Sequence, residues 1–426
     1  MNYHGFINQA RHITIRSCIA YIAKWLLLSV AIGAITGAVS AFFLTSLNWV
    51  TNWRESHVWV IALLPAAGLI VGLMYHYWGE SVVKGNNLLL EEYERPKKII
   101  PFKMAPLIIT GTLATHLFGG SAGREGTAVQ MGGAIADQFT RLLRLDNADR
   151  KIIILMGISA GFASVFGTPL AGAVFAPEVM VPGRISYKAL LPCCLVAFIA
   201  DFCCRAWQVP HTRYSIPTVP DVAPGTLLWA LIAGMLFGLT ALLFSKGVRF
   251  FSSLFKRISY PPLRPFAGGI LIALSVGALS TTQYIGLGIP TIVAAFSSSL
   301  PAYAFLLKLL LTALTLGAGF KGGEVTPLFF IGAALGNALF LFLPLPMALL
   351  AGMGFVAVFA GATNTPIACT IMGIELFGMH SGVYIALACV AAYLFSGPVG
   401  IYTSQITGGP KYLLYNRIKR KRLKNL

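Results

Sequence analysis

Charged residues are scarce in this sequence: only 11% of its 426 residues are Asp, Glu, Lys or Arg, whereas 57% are hydrophobic. Soluble domains usually contain roughly a quarter charged residues and about half apolar ones. This scarcity excludes a soluble cytosolic enzyme, a secreted disulfide-rich module and a disordered chain. It predicts an all-α polytopic membrane protein. The 44 glycines and 23 prolines suit membrane helices, many of them interrupted.

Acidic residues are scarcer still, with 14 Asp and Glu against 32 Lys and Arg, for a net charge of +18. The basic residues cluster between apolar segments, which is the positive-inside pattern of cytoplasmic loops. Nucleic-acid binding is not expected. We expect both chain termini to be cytoplasmic, with Arg11, Arg16 and Lys24 preceding a signal anchor. The densest clusters are at 95–103, 141–151, 246–257 and 417–424.

The cysteines do not form a recognisable metal-binding pattern. Cys193–Cys194 and Cys203–Cys204 are adjacent pairs in an apolar stretch, and no C-x-x-C or H-E-x-x-H spacing occurs. We therefore predict no metal and no cofactor. Residues 119–123 fit the G-x-S-x-G nucleophile motif around Ser121, but that motif needs a soluble strand–turn–helix context. An intramembrane serine hydrolase is kept as an alternative, although we expect the protein not to be an enzyme.

Several of the apolar segments are too short for a straight crossing of about 20 residues. Glycine clusters separate them, which predicts broken and re-entrant helices. Basic runs at 95–103 and 141–151 should lie on one side of the membrane, so the chain between them must enter and return at Gly119–Gly126. The segments are 25–45, 58–78, 104–118, 152–176, 187–204, 227–244, 267–285, 303–318, 328–343, 347–360 and 382–395.

The chain also contains an internal duplication. Glu125 precedes Thr168 by 43 positions, and Glu324 precedes Thr365 by 41; Glu178 and Glu375 each follow ten positions after these threonines. Ordered matches of this kind are typical of transporters with inverted repeats. We predict a first half at 1–207, a proline-rich linker at 208–226, a second half at 227–405 and a basic cytoplasmic tail at 406–426.

Glu125 is the strongest candidate for a functional residue. It lies in a glycine-rich break just before a helix predicted from about Thr127, and helix starts offer free N–H groups and partial positive charge. An ionised Glu125 could occupy that anion site and leave it when protonated. Arg124 either binds the anion or balances the charge. Glu324 has the equivalent place in the second half, as a second carboxylate at the centre or as a helix cap.

Two further polar positions remain open between two interpretations each, and three others have one expected role. Asn86 either donates to an anion or caps a helix. Tyr402 either reaches the core or lies in the interfacial belt. Glu178 and Glu375 are expected to be structural. Lys308 is expected to extend its ammonium group to the membrane surface.

These motifs resemble those of the CLC family of chloride channels and anion/proton antiporters, over nearly the whole chain. Residues 121–126, SAGREG, are similar to the family's gating-glutamate motif, and 323–327 to its G-x-F-x-P motif. Residues 85–87 fall where the family has its first selectivity motif. The resemblance implies a CLC-type fold of two inverted halves and a homodimer in the lipid bilayer. It also implies fluoride or chloride ions and protons as transported partners.

By position, the resemblance implies that Glu125 is the gating and proton-accepting glutamate and that Glu324 takes part in proton coupling. The anion path is then expected to be lined by Asn86, Arg124, Gly126, Val325, Thr326 and Tyr402.

The departures from the chloride type resemble the fluoride-exporting branch. Thr127 replaces the usual proline, Val325 replaces phenylalanine, and Val179 stands at the internal proton glutamate. We expect a fluoride/proton antiporter of a bacterial inner membrane, with a chloride/proton antiporter or chloride channel as the alternative.

Overall fold

The structure is a computed structural model that describes residues 15–183, 185–406 and 411. Arg11 of the predicted signal anchor and the basic cluster at 417–424 lie outside the described residues. In the part described, the secondary structure consists of sixteen α-helices and three short 3₁₀ helices.

The helices divide into two successive sets of eight. The first set is α1 (Ile15–Ser56), α2 (Leu64–Tyr77), α3 (Asn86–Glu94), α4 (Met104–Leu117), α5 (Glu125–Leu142), α6 (Asn147–Phe166), α7 (Pro169–Met180) and α8 (Tyr187–Ala206). The second set is α9 (Pro224–Phe255), α10 (Leu263–Leu279), α11 (Ile289–Ala294), α12 (Ala304–Ala318), α13 (Val325–Leu339), α14 (Met347–Thr363), α15 (Pro366–Phe377) and α16 (Gly382–Phe395). The 3₁₀ helices are Val58–Leu63, Glu80–Val82 and Met379–Ser381.

The two sets correspond one to one in chain order. A long helix opens each set, a very short helix stands third, and a 12-residue helix stands seventh. The packing repeats as well, because α5 packs along α6 and α13 packs along α14. Four stretches among the described residues are apolar helices long enough to cross a membrane: Ile19–Ser56, Val58–Tyr77, Tyr187–Ala206 and Pro224–Phe255.

Most of the remaining helices are too short to cross, as the glycine-rich breaks predict. The apolar segment predicted over 152–176 is divided between two helices, because the chain breaks between α6 and α7. Gly167 ends α6 with a left-handed φ of 72°, and Pro169 opens α7, where a proline's missing N–H costs nothing. Asn364 ends α14 with φ 61° and Pro366 opens α15 in the same way.

One end of the helix bundle carries the basic loops, and we call it the basic end. The Lys24 side chain of α1 forms an ion pair there with Asp149 at the start of α6. Buried Arg150 bonds Asp137 at 2.8 Å and Glu92 at 3.2 Å, and these contacts fix loop 95–103 against α5. Since α1 begins at this end, its last residues lie at the opposite end.

The halves are joined by a reciprocal contact between α7 and α15. Glu178, late in α7, accepts the backbone N–H groups of Ile367 and Ala368 at the start of α15, at 3.0 and 2.8 Å. Glu375, late in α15, accepts those of Leu170 and Ala171 at the start of α7, at 2.9 and 2.8 Å. The two helices therefore run antiparallel, and each carboxylate has the structural role expected for it.

We expect Glu375→Ala to lower the stability by about 2 kcal/mol, because two helix-start N–H groups lose a charged acceptor. A melting curve in detergent measures this. Replacing exposed Glu80 by Ala is the matched control and is expected to change little. Equal melting temperatures for the two variants would contradict a capping role for Glu375.

Lys308 does not reach the membrane surface, so that expectation was wrong. Its side chain is fully buried, and its Nζ donates to the carbonyl oxygens of Tyr284 at 3.2 Å and Gly286 at 2.7 Å. The ammonium group also lies 5.2 Å from the centre of the Phe330 ring. A neighbouring loop thus offers acceptors closer than the headgroup region, and Lys308 fixes that loop instead.

Candidate functional site

The two glycine-rich breaks meet at the centre of the molecule. Gly123 and Gly323 form an isolated antiparallel bridge, with N···O distances of 2.6 and 2.8 Å. A side chain on Gly323 has no space, because a Cβ atom there would lie 2.6 Å from the Gly126 nitrogen. The bridge therefore depends on glycine, and it brings the starts of α5 and α13 together.

Glu125 is the first residue of α5, and its carboxylate reaches across to the start of α13. Its Oε2 accepts the Thr326 N–H at 3.0 Å and the Arg124 N–H at 3.1 Å. Its Oε1 accepts the Thr326 hydroxyl at 2.5 Å and lies 3.5 Å from Arg124 Nε. The side chain is only 1% exposed. An ionised carboxylate thus occupies the donor groups that a helix start would offer to a free anion.

Glu324 lies beside the same bridge without capping a helix. It is the N-cap residue of α13, but its side chain makes no capping hydrogen bond, and its buried Oε2 has no partner. A methyl group placed on Gly126 would come 3.3 Å from Glu324 Oε2 and 3.2 Å from Asn86 Nδ2. Both side chains therefore lie next to the backbone of Gly126. The interpretation of Glu324 as a helix cap is not supported, because the side chain makes no capping hydrogen bond.

Asn86 is not a capping residue either. The N-cap of α3 is Gly85, with φ 56°, and Asn86 is the first residue inside the helix. Its side chain is buried, and its Oδ1 has no hydrogen-bond partner. The amide is thus free to present its N–H groups at the centre of the molecule.

Tyr402 lies in the core and not in an interfacial belt. It is 3% exposed, so its hydroxyl lies inside the protein. Val325, the first residue of α13, is also buried next to Thr326. All eight residues predicted for the site therefore lie around the two glycine-rich breaks that the Gly123–Gly323 bridge joins. The helix predicted to begin at about Thr127 begins two residues earlier, at Glu125 itself.

Two cavities lie near Glu125, and they share Arg124 as a lining residue. A small one of about 30 Å³ is lined by Glu125, Thr326 and Arg124, with an aromatic wall that includes Phe329. A larger one of about 810 Å³ includes Arg124 and also Arg54, near the end of α1. Arg124 is therefore the charged side chain common to both cavities.

Ser121 is not placed for nucleophilic catalysis. Its hydroxyl is fully buried, donates to the Tyr284 carbonyl at 3.1 Å and shares a 2.9 Å bond with the Thr312 hydroxyl. A serine nucleophile needs a hydrogen-bonded base. No His, Asp or Glu side chain within the described ranges bonds this hydroxyl, so the hydrolase alternative has no support in the geometry.

The residues around Tyr402 hold contacts that the sequence did not predict. Asn87 accepts hydrogen bonds from Thr403 and Ser404, and Gln405 donates to one backbone carbonyl in each half, those of Val179 and Thr363. Lys411 is fully buried and reaches Asn364. The Gly85–Asn87 motif gave a signal for Asn87, but its partners are more than 300 positions away in the sequence.

Two repeated halves, broken helices that start at a buried carboxylate, and four membrane-length helices define a polytopic membrane transport protein. The profile of the family described as voltage gated chloride channel matches residues 67–397, more than half of the chain. This protein therefore belongs to the voltage gated chloride channel (CLC) family.

Curated relatives agree over nearly the full length. A chloride/fluoride channel protein of Pseudomonas syringae pv. tomato is 53% identical over 399 residues, covering 92% of this chain and 88% of the relative. The H(+)/Cl(-) exchange transporter ClcA of Vibrio vulnificus is 29% identical, covering 94% of this chain and 91% of the relative. These similarities support the family assignment, although the two relatives carry different ion names.

Solved structures agree with the fold. The crystal structure of a CLC-type fluoride/proton antiporter superposes with a TM-score of 0.88 at 37% identity, covering 91% of this chain and 98% of that one. The X-ray structure of a slow cyanobacterial Cl⁻/H⁺ antiporter superposes with a TM-score of 0.76 at 21% identity, covering 92% and 96%. The all-α CLC fold predicted from the sequence is thereby confirmed.

Proposed function

We propose that this protein is a fluoride/proton antiporter that exports fluoride, with chloride transport as the alternative. The observation that carries the proposal is the position of the Glu125 carboxylate at the start of α13. There it accepts the backbone and hydroxyl donors of Thr326. A group that is anionic when deprotonated and neutral when protonated links the binding of an anion to the binding of a proton.

The exchange follows from competition for one set of donors. An anion that arrives at the N–H groups of Val325 and Thr326 displaces the carboxylate, and the displaced carboxylate binds a proton. A protonated Glu125 no longer competes for the donors, so the anion stays until the proton leaves. Because the anion and the deprotonated carboxylate exclude each other at these donors, anion movement is linked to protonation of Glu125, and a proton gradient can drive the anion against its own gradient.

The other residues complete the anion path. The Asn86 amide and the Gly126 backbone lie on one side of the bridge, with the Tyr402 hydroxyl on the same path. Arg124 lines both the small and the large cavity. Glu324, whose Oε2 has no partner, is placed to hydrogen-bond a protonated Glu125.

The donor set favours fluoride over chloride on physical grounds. Fluoride is small and holds its water tightly, so its site must replace strong hydrogen bonds. Backbone N–H groups, a threonine hydroxyl and an amide supply them in a buried place. The 37% identity to a structure described as a CLC-type fluoride/proton antiporter supports the same choice. Chloride remains the alternative because the Pseudomonas relative is named for both ions.

The test is a flux measurement in liposomes that contain the purified protein. A fluoride electrode follows fluoride efflux and a pH electrode follows proton uptake, each with and without an imposed pH gradient. The proposal requires proton uptake that accompanies fluoride efflux and fluoride uptake that a pH gradient drives. Chloride movement at equal or higher rates would favour the alternative, and fluoride flux without proton movement would indicate a channel.

Asn86→Ser should weaken the preference for fluoride over chloride. Serine loses the NH₂ donor that lies beside Gly126 and leaves more space there. We expect the ratio of fluoride flux to chloride flux to fall by about tenfold, the effect of losing one hydrogen bond to a charged group. An unchanged ratio, measured with both ions in the same vesicle preparation, would remove Asn86 from the site.

The assembly and orientation are part of the same proposal. We propose a homodimer in a bacterial inner membrane, with the basic end and both termini in the cytoplasm. Residues 1–207 and 227–405 would form the inverted halves, joined by the linker at 208–226, and 406–426 would form a cytoplasmic tail. The basic loops at 95–103 and 141–151 support this orientation. Single-molecule photobleaching in liposomes counts the subunits, and cysteine labelling from either side locates the linker.

A further inference from the structure

Tyr402 is carried by a short turn, residues 401–405, which we call the Tyr402 turn. This turn is bonded to α3 through two side chains, Asn87 and Glu91, and the Ser404 hydroxyl donates to Glu91 Oε1 at 2.9 Å. Asn87 Oδ1 accepts the Ser404 backbone N–H at 2.8 Å and the Thr403 hydroxyl at 3.3 Å. A backbone N–H can only donate, so the oxygen of the amide must face the turn. Asn87 follows Asn86 directly in α3. The start of this helix therefore provides Asn86, proposed for the anion path, and Asn87, which binds the turn.

The opposite side of the turn is bonded to the C-terminal ends of α7 and α14. Gln405 donates its side-chain amide to the carbonyl oxygens of Val179 at 2.8 Å and Thr363 at 2.9 Å. Its backbone N–H donates to the Tyr402 carbonyl at 3.1 Å, and Ile401 N–H donates to the Ala362 carbonyl at 2.9 Å. The turn is therefore hydrogen-bonded to the C-terminal ends of α7 and α14 on one side and to Asn87 and Glu91 of α3 on the other.

A buried cation secures the C-terminal side. Asn364, the residue that ends α14, donates to Gln405 Oε1 at 2.9 Å and accepts from Lys411 Nζ at 2.6 Å. Lys411 also donates to the hydroxyl of Ser396, which ends α16, at 2.8 Å. A positive charge at two helix C-termini is stabilised by their dipoles. On the other side, the side chains of α3 that bond the turn are Asn87, at the start of the helix, and Glu91, one turn later.

We infer that Asn87 is a positioning residue that holds the Tyr402 turn against α3 and thereby fixes the distance between Tyr402 and Asn86 across the anion path. The inference rests on the proposed function, since it makes Asn87 a determinant of selectivity and coupling in that site. With the contact, the path is narrow enough to demand direct hydrogen bonding of the ion. Without it, the turn moves away and a larger ion passes with less loss.

The substitution that isolates this contact is Asn87→Leu, which keeps the side-chain volume and removes the acceptor. Its partner is Asn87→Asp, which keeps an oxygen in the same place. Only an acceptor is needed at that position, so the aspartate should retain both bonds. We expect the fluoride-to-chloride flux ratio to fall about fivefold in Asn87→Leu, the size of a lost hydrogen bond. In Asn87→Asp it should stay within about twofold of the wild type.

The matched control is Asn337→Leu on α13. The Asn337 side chain accepts from Leu300 N–H and donates to Ala295 and Ser298 carbonyls, all at 2.9 Å, so it also holds a loop in place. That loop is separate from the Tyr402 turn. The control is expected to lower the melting temperature in detergent at least as much as Asn87→Leu and to leave the flux ratio unchanged.

Two results would overturn the inference: a wild-type flux ratio in Asn87→Leu, or an equal fall of the ratio in Asn337→Leu. If Asn87→Leu does not fold, Thr403→Val removes only the weaker bond, and a smaller fall in the same direction is required. Failure of the proposed function is distinguishable, because it shows in the wild type as fluoride flux without proton movement. In that case, comparing the fluoride-to-chloride flux ratio of each variant with that of the wild type still tests the role of Asn87.

Discussion

Glu125→Gln is expected to abolish proton-coupled transport while the protein stays folded. The amide has the shape of the carboxylate and keeps one acceptor oxygen for the Thr326 N–H, which now lies 3.0 Å from Oε2. It cannot bind and release a proton, so displacement by an anion is no longer linked to protonation. We expect the proton flux to fall by about 100-fold or more, as for the loss of a positioned acid–base group.

The measurement is paired fluoride efflux and proton uptake in the same liposomes, with a melting curve in detergent. Thr326→Ser serves as the control, because it keeps the hydroxyl that bonds Glu125 Oε1 and is expected to leave the coupling intact. If Glu125→Gln took up protons in the wild-type ratio to fluoride efflux, Glu125 would not be the proton-exchanging group. A collapse of the melting temperature would show instead that the carboxylate is needed for folding.

Glu324→Gln is expected to slow coupled exchange strongly and to change the stability little. Val179 leaves the internal proton position of the family without a carboxylate, so a second titrating group is needed elsewhere. Glu324 is half-buried, its Oε2 has no partner, and it lies over the backbone of Gly126. Removing its ability to exchange a proton should cost about 100-fold in rate if it assists Glu125 directly.

A capping role gives a different outcome for the same residue. A helix cap would tolerate Asp or Asn, with a loss of only about 1 kcal/mol in stability. Glu324→Asp and Glu324→Gln therefore form the informative pair: the proposed role predicts faster exchange in Asp than in Gln at similar melting temperatures. Unimpaired exchange in Glu324→Gln would return this residue to a purely structural role.

The sequence predicted the positions of the helix breaks well because their determinants are local. Glycine clusters, the prolines after Thr168 and Thr365, and the carboxylates at 125 and 324 each mark a helix start without knowledge of the fold. The duplicated spacing then places the two starts together. What it could not supply was the register between the halves, which depends on the backbone bridge between Gly123 and Gly323.

Contacts between distant segments account for the failures. Lys308 was expected at the membrane surface because a lysine near a helix start usually extends there. It is buried because the carbonyls of Tyr284 and Gly286, more than 20 positions away, accept from it. Asn87 was read only as part of a glycine-rich motif, since its partners at 403 and 404 come from the other end of the chain. Single-sequence patterns contain no information about such pairs.

The reciprocal contact between α7 and α15, in which each helix provides the carboxylate that binds the start of the other, has a consequence for biogenesis. Leu170 and its acceptor Glu375 are 205 positions apart, so the ribosome finishes α7 long before it synthesises the group that completes it. During that interval two N–H groups at the start of α7 lack their acceptor in a medium that offers no water. The first half must therefore wait in the insertion machinery, or in a partly hydrated state, until translation of the second half is nearly complete.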